Sequence, residues 1–269
     1  MASQVGVELS NTMHEVATKV LDASCRLYCA LALLWPDHQA SQRAASDAMV
    51  WAIPEGLSTQ TEACVPVAFG TAHDCLFNAG NLQKGQTVLV HAGAGGVGMA
   101  AIQLAHRAGA TVIATASSSE KLERLRAFGL DHGLNYVEQD FVGEVQRLTG
   151  KRGVDVVIDS VGGKTLADSV RVLGWRGRMV SVGIAGCGGS ALNAFSPWAR
   201  NNTLHGVLFA TFLQAEYPRA YALVAGCLAR VASGELKVEI ARVFPLAEAA
   251  QAHAFIEGRH AFGRVVMTA

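Results

Sequence analysis

The stretch VLVHAGAGGVGMAAIQLA, residues 88–105, decides the fold. An apolar run collapses into Gly93, Gly95, Gly96 and Gly98, then becomes apolar again. Glycine costs backbone entropy, so this density marks a place that tolerates no side chains. Upstream, QTVLVHA reads as a short buried strand, rich in β-branched residues and preceded by the turn-like Lys84-Gly85. Downstream, Met99, Ile102, Leu104 and Ala105 recur at the spacing of a helix packed on a sheet. Strand, glycine turn and helix make the first half of a βαβ unit. The spacing Gly93-x-Gly95-x-x-Gly98 fits the dinucleotide fingerprint. In that reading Gly93 permits the tight turn, Gly95 lets a pyrophosphate approach the backbone, and Gly98 lets the helix pack closely on the strand. The free N–H groups and dipole of the new helix then face the phosphates. The competing reading is a structural glycine turn.

Around this unit the pattern alternates. Strands are expected at 87–92, 111–116, 133–136, 154–159, 178–183 and 204–209, with helices at 96–108, 119–128, 139–148 and 164–173. Such alternation predicts an α/β fold, a doubly wound parallel (Rossmann) sheet. Before it, Pro54 and Gly56 mark a turn, followed by a helix over 60–79. After it come a long helix at 215–232, the strand-like KVEIARVFPL, a helix at 246–257 and a final strand in GRVVM. Residues 1–44 carry no chemical motif, but Val16, Val20, Leu27, Leu31 and Leu34 recur at helical spacing and predict a helix ending near Pro36.

Composition narrows the function classes. The 269 residues are 51% apolar with formal net charge +0, which gives ample core and no electrostatic footprint for nucleic acid. The early apolar run LYCALALLW, residues 27–35, is too short to span a bilayer. Glu8, Glu15 and Asp22 sit where a signal peptide or mitochondrial presequence needs positive charge. No membrane partner and a cytoplasmic location are therefore expected. Cys25, Cys29, Cys64, Cys75, Cys187 and Cys227 are spread along the chain without a CxxC pair, which predicts reduced thiols and no zinc ribbon. His73 and Cys75, two residues apart, diverge on a helix and make a poor ligand pair, so no metal site is expected.

Past the second strand, an NAD site usually offers an Asp or Glu to the ribose hydroxyls. This chain offers Ser117, Ser118 and Ser119, then Lys121 and Arg124. Hydroxyls and a cation accept a 2′-phosphate, whereas a carboxylate repels it, so NADPH is favoured over NADH. Glu120 is the nearest acid, and on the first helical turn it serves the helix dipole instead. The alternative is that the serines only cap the helix. The missing acid also weakens a rival methyltransferase reading.

Taken together, IPEGLS, PVAFGTAHDCLF, VLVHAGAGGVGMAAIQLA, LNYVEQDF, GVDVVIDSVGG, GRMVSVGIAG and the terminal FGRVVM resemble the medium-chain dehydrogenase/reductase superfamily, in its zinc-free quinone oxidoreductase (zeta-crystallin-like) branch. The matches run in family order over residues 49–269. The resemblance implies an NADPH-dependent reductase of quinones or activated alkenes, working as a homodimer. It implies that Gly95, Gly96, Val97 and Gly98 hold the pyrophosphate, while Ser117, Lys121 and Tyr136 grip the 2′-phosphate. Ser160 and Val161 would border the adenosine half, and Thr71, Gly183, Ile184 and Phe209 the nicotinamide half. Arg264, before the last strand, would reach the cofactor. Plainer roles compete: packing for Tyr136, a helix cap for Thr71, a solvated cation for Arg264.

The family places a GroES-like β-rich catalytic domain before IPEGLS, and here most of it is missing. The resulting division is an atypical segment at 1–44, a catalytic-domain remnant at 45–60, the Rossmann domain at 61–235 and, at 236–269, a segment that returns to the catalytic domain in the family. Two functions follow. One is hydride transfer from NADPH to a quinone or enone, with a reductase acting on fatty-acid or polyketide enoyl groups as a variant. The other is a catalytically reduced NADPH-binding module or partner protein. Hydride transfer needs no protein nucleophile, so no catalytic residue is named.

Overall fold

The structure is a computed structural model and describes residues 27–29, 50–185 and 200–268. Leu27–Cys29 forms a short strand, β1, paired antiparallel with β2 (Val50–Ala52). This corrects the helix expected through Leu27, Leu31 and Leu34; the rest of that helix lies outside the described residues. The reason is tertiary. Trp51 in β2 is 1% exposed, stacks on Tyr221 at 5.5 Å and donates its indole N–H to the Tyr221 carbonyl at 3.1 Å. That anchored strand offers β1 an edge, and pairing with it overrides the local period.

The helix expected at 60–79 is three pieces. In α1 (Thr59–Ala63) the Ser58 hydroxyl caps by accepting from the Thr61 amide. Pro66 then opens α2 (Pro66–His73), where its missing N–H costs nothing, and a π-helical segment continues through Asp74–Ala79.

The central sheet follows the expected alternation. Its strands are β3 (Thr87–Val90), β4 (Thr111–Ala116), β5 (His132–Asn135), β6 (Val154–Asp159), β7 (Leu173–Ser181) and β8 (Thr203–Gly206). They are all parallel, in the order β5-β4-β3-β6-β7-β8. Crossovers run through α3 (Gly96–Arg107), α4 (Ser119–Leu125), α5 (Phe141–Leu148) and α6 (Gly163–Val170). Side chains alternate between two layers: Val88 and Val90 join the larger apolar cluster, Leu89 the smaller. Both faces are covered, as a parallel sheet requires.

Two expected strands have different ends. Pairing of β7 with β6 begins at Leu173, earlier than expected, and the register shifts before Arg178 around a bulge in which Arg176 has φ 54°. The sixth strand stops at Gly206, and Phe209 opens α7 (Phe209–Ala215) instead of ending the strand. Next come α8 (Tyr217–Ala232), β9 (Ile240–Pro245), α9 (Ala249–Glu257) and β10 (Arg264–Thr268), with β9 and β10 pairing in parallel. This C-terminal unit is tied to the main domain by Gln103 of α3. Its amide donates to the Lys237 carbonyl at 2.9 Å and accepts from the Lys237 N–H at 2.8 Å.

Candidate functional site

Strand order reverses between β3 and β6, so their C-terminal ends open a crevice of the kind that takes ligands in doubly wound sheets. The glycine loop lies there. The left-handed residue of the turn is Ala92, with φ 51°, which corrects the assignment of the tight turn to Gly93. Gly93 is required by packing instead: a Cβ there would sit 3.0 Å from the Ala114 Cβ and 3.2 Å from Ile102 and Leu125 methyls. At Gly98 a Cβ would run into the Ala92 carbonyl oxygen, so helix and strand approach as the fingerprint requires. Gly95 differs. It is the N-cap of α3, and a Cβ on it would meet only the Ala92 oxygen, at 3.3 Å. Protein packing does not demand glycine at 95, and space for a ligand is what the missing side chain leaves. Gly96, Val97 and Gly98 supply the first N–H groups of α3, those without an intrahelical partner.

Two contacts brace this loop from the C-terminal unit. The Gly263 amide donates to the Ala94 carbonyl at 2.8 Å. The Arg264 side chain covers Gly96 so closely that a Cβ there would strike its Cδ, and its buried Nε has no hydrogen-bond partner. Arg264 is half-buried, with its side chain over Gly96 at the N-terminus of α3. It also opposes the burial that pushes the Cys64 thiol pKa up.

Beneath the loop, His91 is 2% exposed. Its Nδ1 lies 3.1 Å from the Thr115 hydroxyl and its Nε2 2.8 Å from the Ser169 hydroxyl. Ser169 donates to the Thr165 carbonyl, so its oxygen accepts from His91 Nε2–H and Thr115 donates to Nδ1. Burial pushes the imidazole pKa down to about 4, and the neutral ring locks β3, β4 and α6 together.

At the end of β4, Ser118 caps α4 by accepting from the Lys121 amide, which is the plainer role foreseen for these serines. Ser117 stays half-buried beside it. The Lys121 ammonium donates to the Arg259 carbonyl at 2.6 Å, so the loop before β10 meets this rim and brings Arg259, an exposed residue, to it. Sequence spacing gave no sign of Arg259, 138 residues away. Tyr136, 41% exposed, follows β5 and donates its amide N–H to the Ala116 carbonyl at the end of β4.

Across the switch point, Asp159 ends β6 fully buried. One oxygen accepts from the Val161 and Gly162 amides at 2.7 and 3.0 Å and shapes the Ser160–Val161 turn. The other is buried without a hydrogen-bond partner, and desolvation raises the carboxyl pKa despite the two amide bonds. In the sequence, Asp159 is signalled only as an acid closing the apolar run of β6.

Gly183 and Ile184 follow β7 and line a cleft of about 730 Å³ that also takes in Asp74, Asn78, Leu208 and Arg219. Ile184 is 80% exposed there. Thr71 and Phe209 lie elsewhere: Thr71 is buried on α2, and the Phe209 ring is buried over Gly70, where it would strike any Cβ. Phe209 packs the core from the first turn of α7 and does not line the cleft.

Residues 96–226 match the family model described as zinc-binding dehydrogenase. The chain is 34% identical over 216 residues to the phthioceranic/hydroxyphthioceranic acid synthase of Mycobacterium tuberculosis, covering 80% of this chain and 10% of that protein. It is 33% identical over 220 residues to quinone oxidoreductase-like protein 2 of Bos taurus, covering 81% of this chain and 63% of that one. A mycobacterial structure solved in complex with NADPH superposes with a TM-score of 0.79 at 31% identity, covering 84% of this chain and 69% of that one. The chain thus spans less than two thirds of the length of these curated relatives. A parallel sheet of this order, with its glycine loop at the switch point, and these likenesses lead to one conclusion: the chain belongs to the medium-chain dehydrogenase/reductase superfamily.

Proposed function

We propose that this chain binds NADPH in the glycine-loop crevice and reduces a quinone or an activated alkene without zinc. The observation that carries the reading is Gly95, a position that packing leaves open at the N-terminus of α3. The N–H groups of Gly96, Val97 and Gly98 meet the pyrophosphate, with the Arg264 guanidinium adding positive charge. Ser117, Lys121 and Arg259 face the 2′-phosphate, with Tyr136 at its edge. Ser160 and Val161, shaped by Asp159, border the adenosine half, while Gly183 and Ile184 border the nicotinamide half. When bound, NADPH supplies a hydride, and a proton from water or a side chain completes the reduction. The residues of this chain bind, orient and exclude water.

The test is calorimetric titration with NADPH and NADH, followed by NADPH oxidation against a panel of quinones and enones. Tighter binding of NADPH with turnover of a panel member is expected; no binding of either nucleotide overturns the reading. A second reading, a cofactor-binding module with little turnover, is favoured by β9 and β10, which have no third strand among the described residues. NADPH binding without turnover on any acceptor would select it.

A further inference from the structure

The cleft beyond the C-terminal ends of β7 and β8 plays no part in holding a pyrophosphate, and its two sides differ in chemistry. Its floor is apolar, with Ile184 80% exposed and Leu208 48% exposed. Large apolar side chains left open at the mouth of a cleft are what an apolar ligand covers. One wall is charged. Asp74, 8% exposed, is pinned by the Asn78 amide, which donates to it at 2.6 Å. In the same lining, on α8 and just before it, the Arg219 guanidinium lies 3.1 Å from the Glu216 carboxylate and 4.9 Å from the Phe212 ring centroid. Among the described residues, the one guanidinium lining the cleft is already paired, and Asp74 and Glu216 together outnumber it in charge.

We propose that this cleft is the acceptor pocket and that Asp74 and Glu216 select an uncharged carbonyl compound (an ester, thioester, ketone or quinone) over the free carboxylic acid of the same skeleton. The inference rests on the oxidoreductase reading and narrows its substrate class. Its geometry fits that reading, because Gly183 and Ile184, which border the nicotinamide half in that reading, belong to the same lining as Asp74 and Glu216. Asp74, held by Asn78, shares the cleft lining with Ile184 and Leu208, so a charged group brought into the cleft with an apolar acceptor meets a fixed carboxylate. Two like charges about 6 Å apart, at the effective dielectric of about 20 that suits protein sites, repel enough to cost roughly a hundredfold in affinity.

The test compares methyl cinnamate with cinnamate, one skeleton with and without the charge, by calorimetry on the chain saturated with NADP⁺. Cofactor binding is read first, so failure of the cofactor reading registers before any acceptor is added. Methyl cinnamate is expected to bind at least tenfold tighter than cinnamate. The variants D74N and E216Q should each narrow that gap by raising cinnamate affinity. L208E, at an exposed position, should weaken methyl cinnamate at least tenfold while NADP⁺ binding is unchanged. Equal or tighter binding of cinnamate, no binding of either compound, or an L208E variant that binds the ester normally would each overturn the proposal.

Discussion

Gly263 and Ala94 are 169 residues apart in the chain, yet the amide of the first donates to the carbonyl of the second at 2.8 Å. The glycine loop is therefore held from outside its own βαβ unit. Gly263 has φ 93°, and a Cβ on it would strike the Glu239 carbonyl. Gly263→Ala must strain the backbone or move β10 away from the loop. Strain of this kind costs about 1–3 kcal/mol. A lowered Tm is expected, together with NADPH binding weakened about tenfold. Titration calorimetry and thermal unfolding check both, and an unchanged Kd would remove the brace from the argument.

Gly95 and Gly98 should fail differently. Gly95→Ala adds a Cβ that meets only the Ala92 oxygen at 3.3 Å, so a smaller loss of Tm than Gly98→Ala is expected together with weakened NADPH binding. Gly98→Ala forces a Cβ onto the Ala92 oxygen, so it should lower the Tm itself. Thermal scans with and without NADPH separate the two. Equal destabilisation by both would make Gly95 a structural glycine.

Lys121 and Arg259 are expected to select the phosphorylated cofactor. A charge-assisted contact to the 2′-phosphate contributes roughly 1.5–3 kcal/mol, about ten- to a hundredfold in affinity. Lys121→Ala should weaken NADPH by that factor and leave NADH nearly unchanged, with Arg259→Ala acting in the same direction. Equal loss for both nucleotides would take Lys121 out of the phosphate site.

Buried His91 sets a pH dependence. Its folded pKa, about 4, lies below the ordinary histidine value of 6.5. Between those values the unfolded chain binds the extra proton, so the contribution is full above pH 6.5 and is lost as pH falls toward 4. From pH 7 to pH 5 the loss is about 2 kcal/mol. Urea unfolding at the two pH values measures it, and His91→Gln should shrink the difference by about that amount.

The matched family model carries zinc in its description, whereas the chain is expected to need none. Among the described residues, no group of three His, Cys, Asp or Glu side chains comes together. Elemental analysis should find no stoichiometric zinc, and a chelator should leave the Tm unchanged. One zinc per chain would overturn the expectation.

Local sequence was sufficient wherever a single element carried the information. The run from Val88 to Ala105 specified strand, glycine turn and helix, because burial, backbone freedom and helical period are all properties of neighbouring residues. The parallel alternation from Thr87 to Asp159 followed for the same reason, and Gly98 needed only the strand beside it. Tertiary structure decided what depends on distant partners. Trp51 and Tyr221 made a strand where helical spacing was read. The crowding of Ala114, Ile102 and Leu125, not a left-handed turn, fixed Gly93. Phe209 went to the core over Gly70, and Arg259 reached Lys121 across 138 residues. The cleft that joins Ile184 and Leu208 to Asp74 exists only once β7, β8, α8 and the π-helical segment after α2 have packed. Sequence spacing records which residues are neighbours along the chain, and this cleft is built from residues that are neighbours only in space.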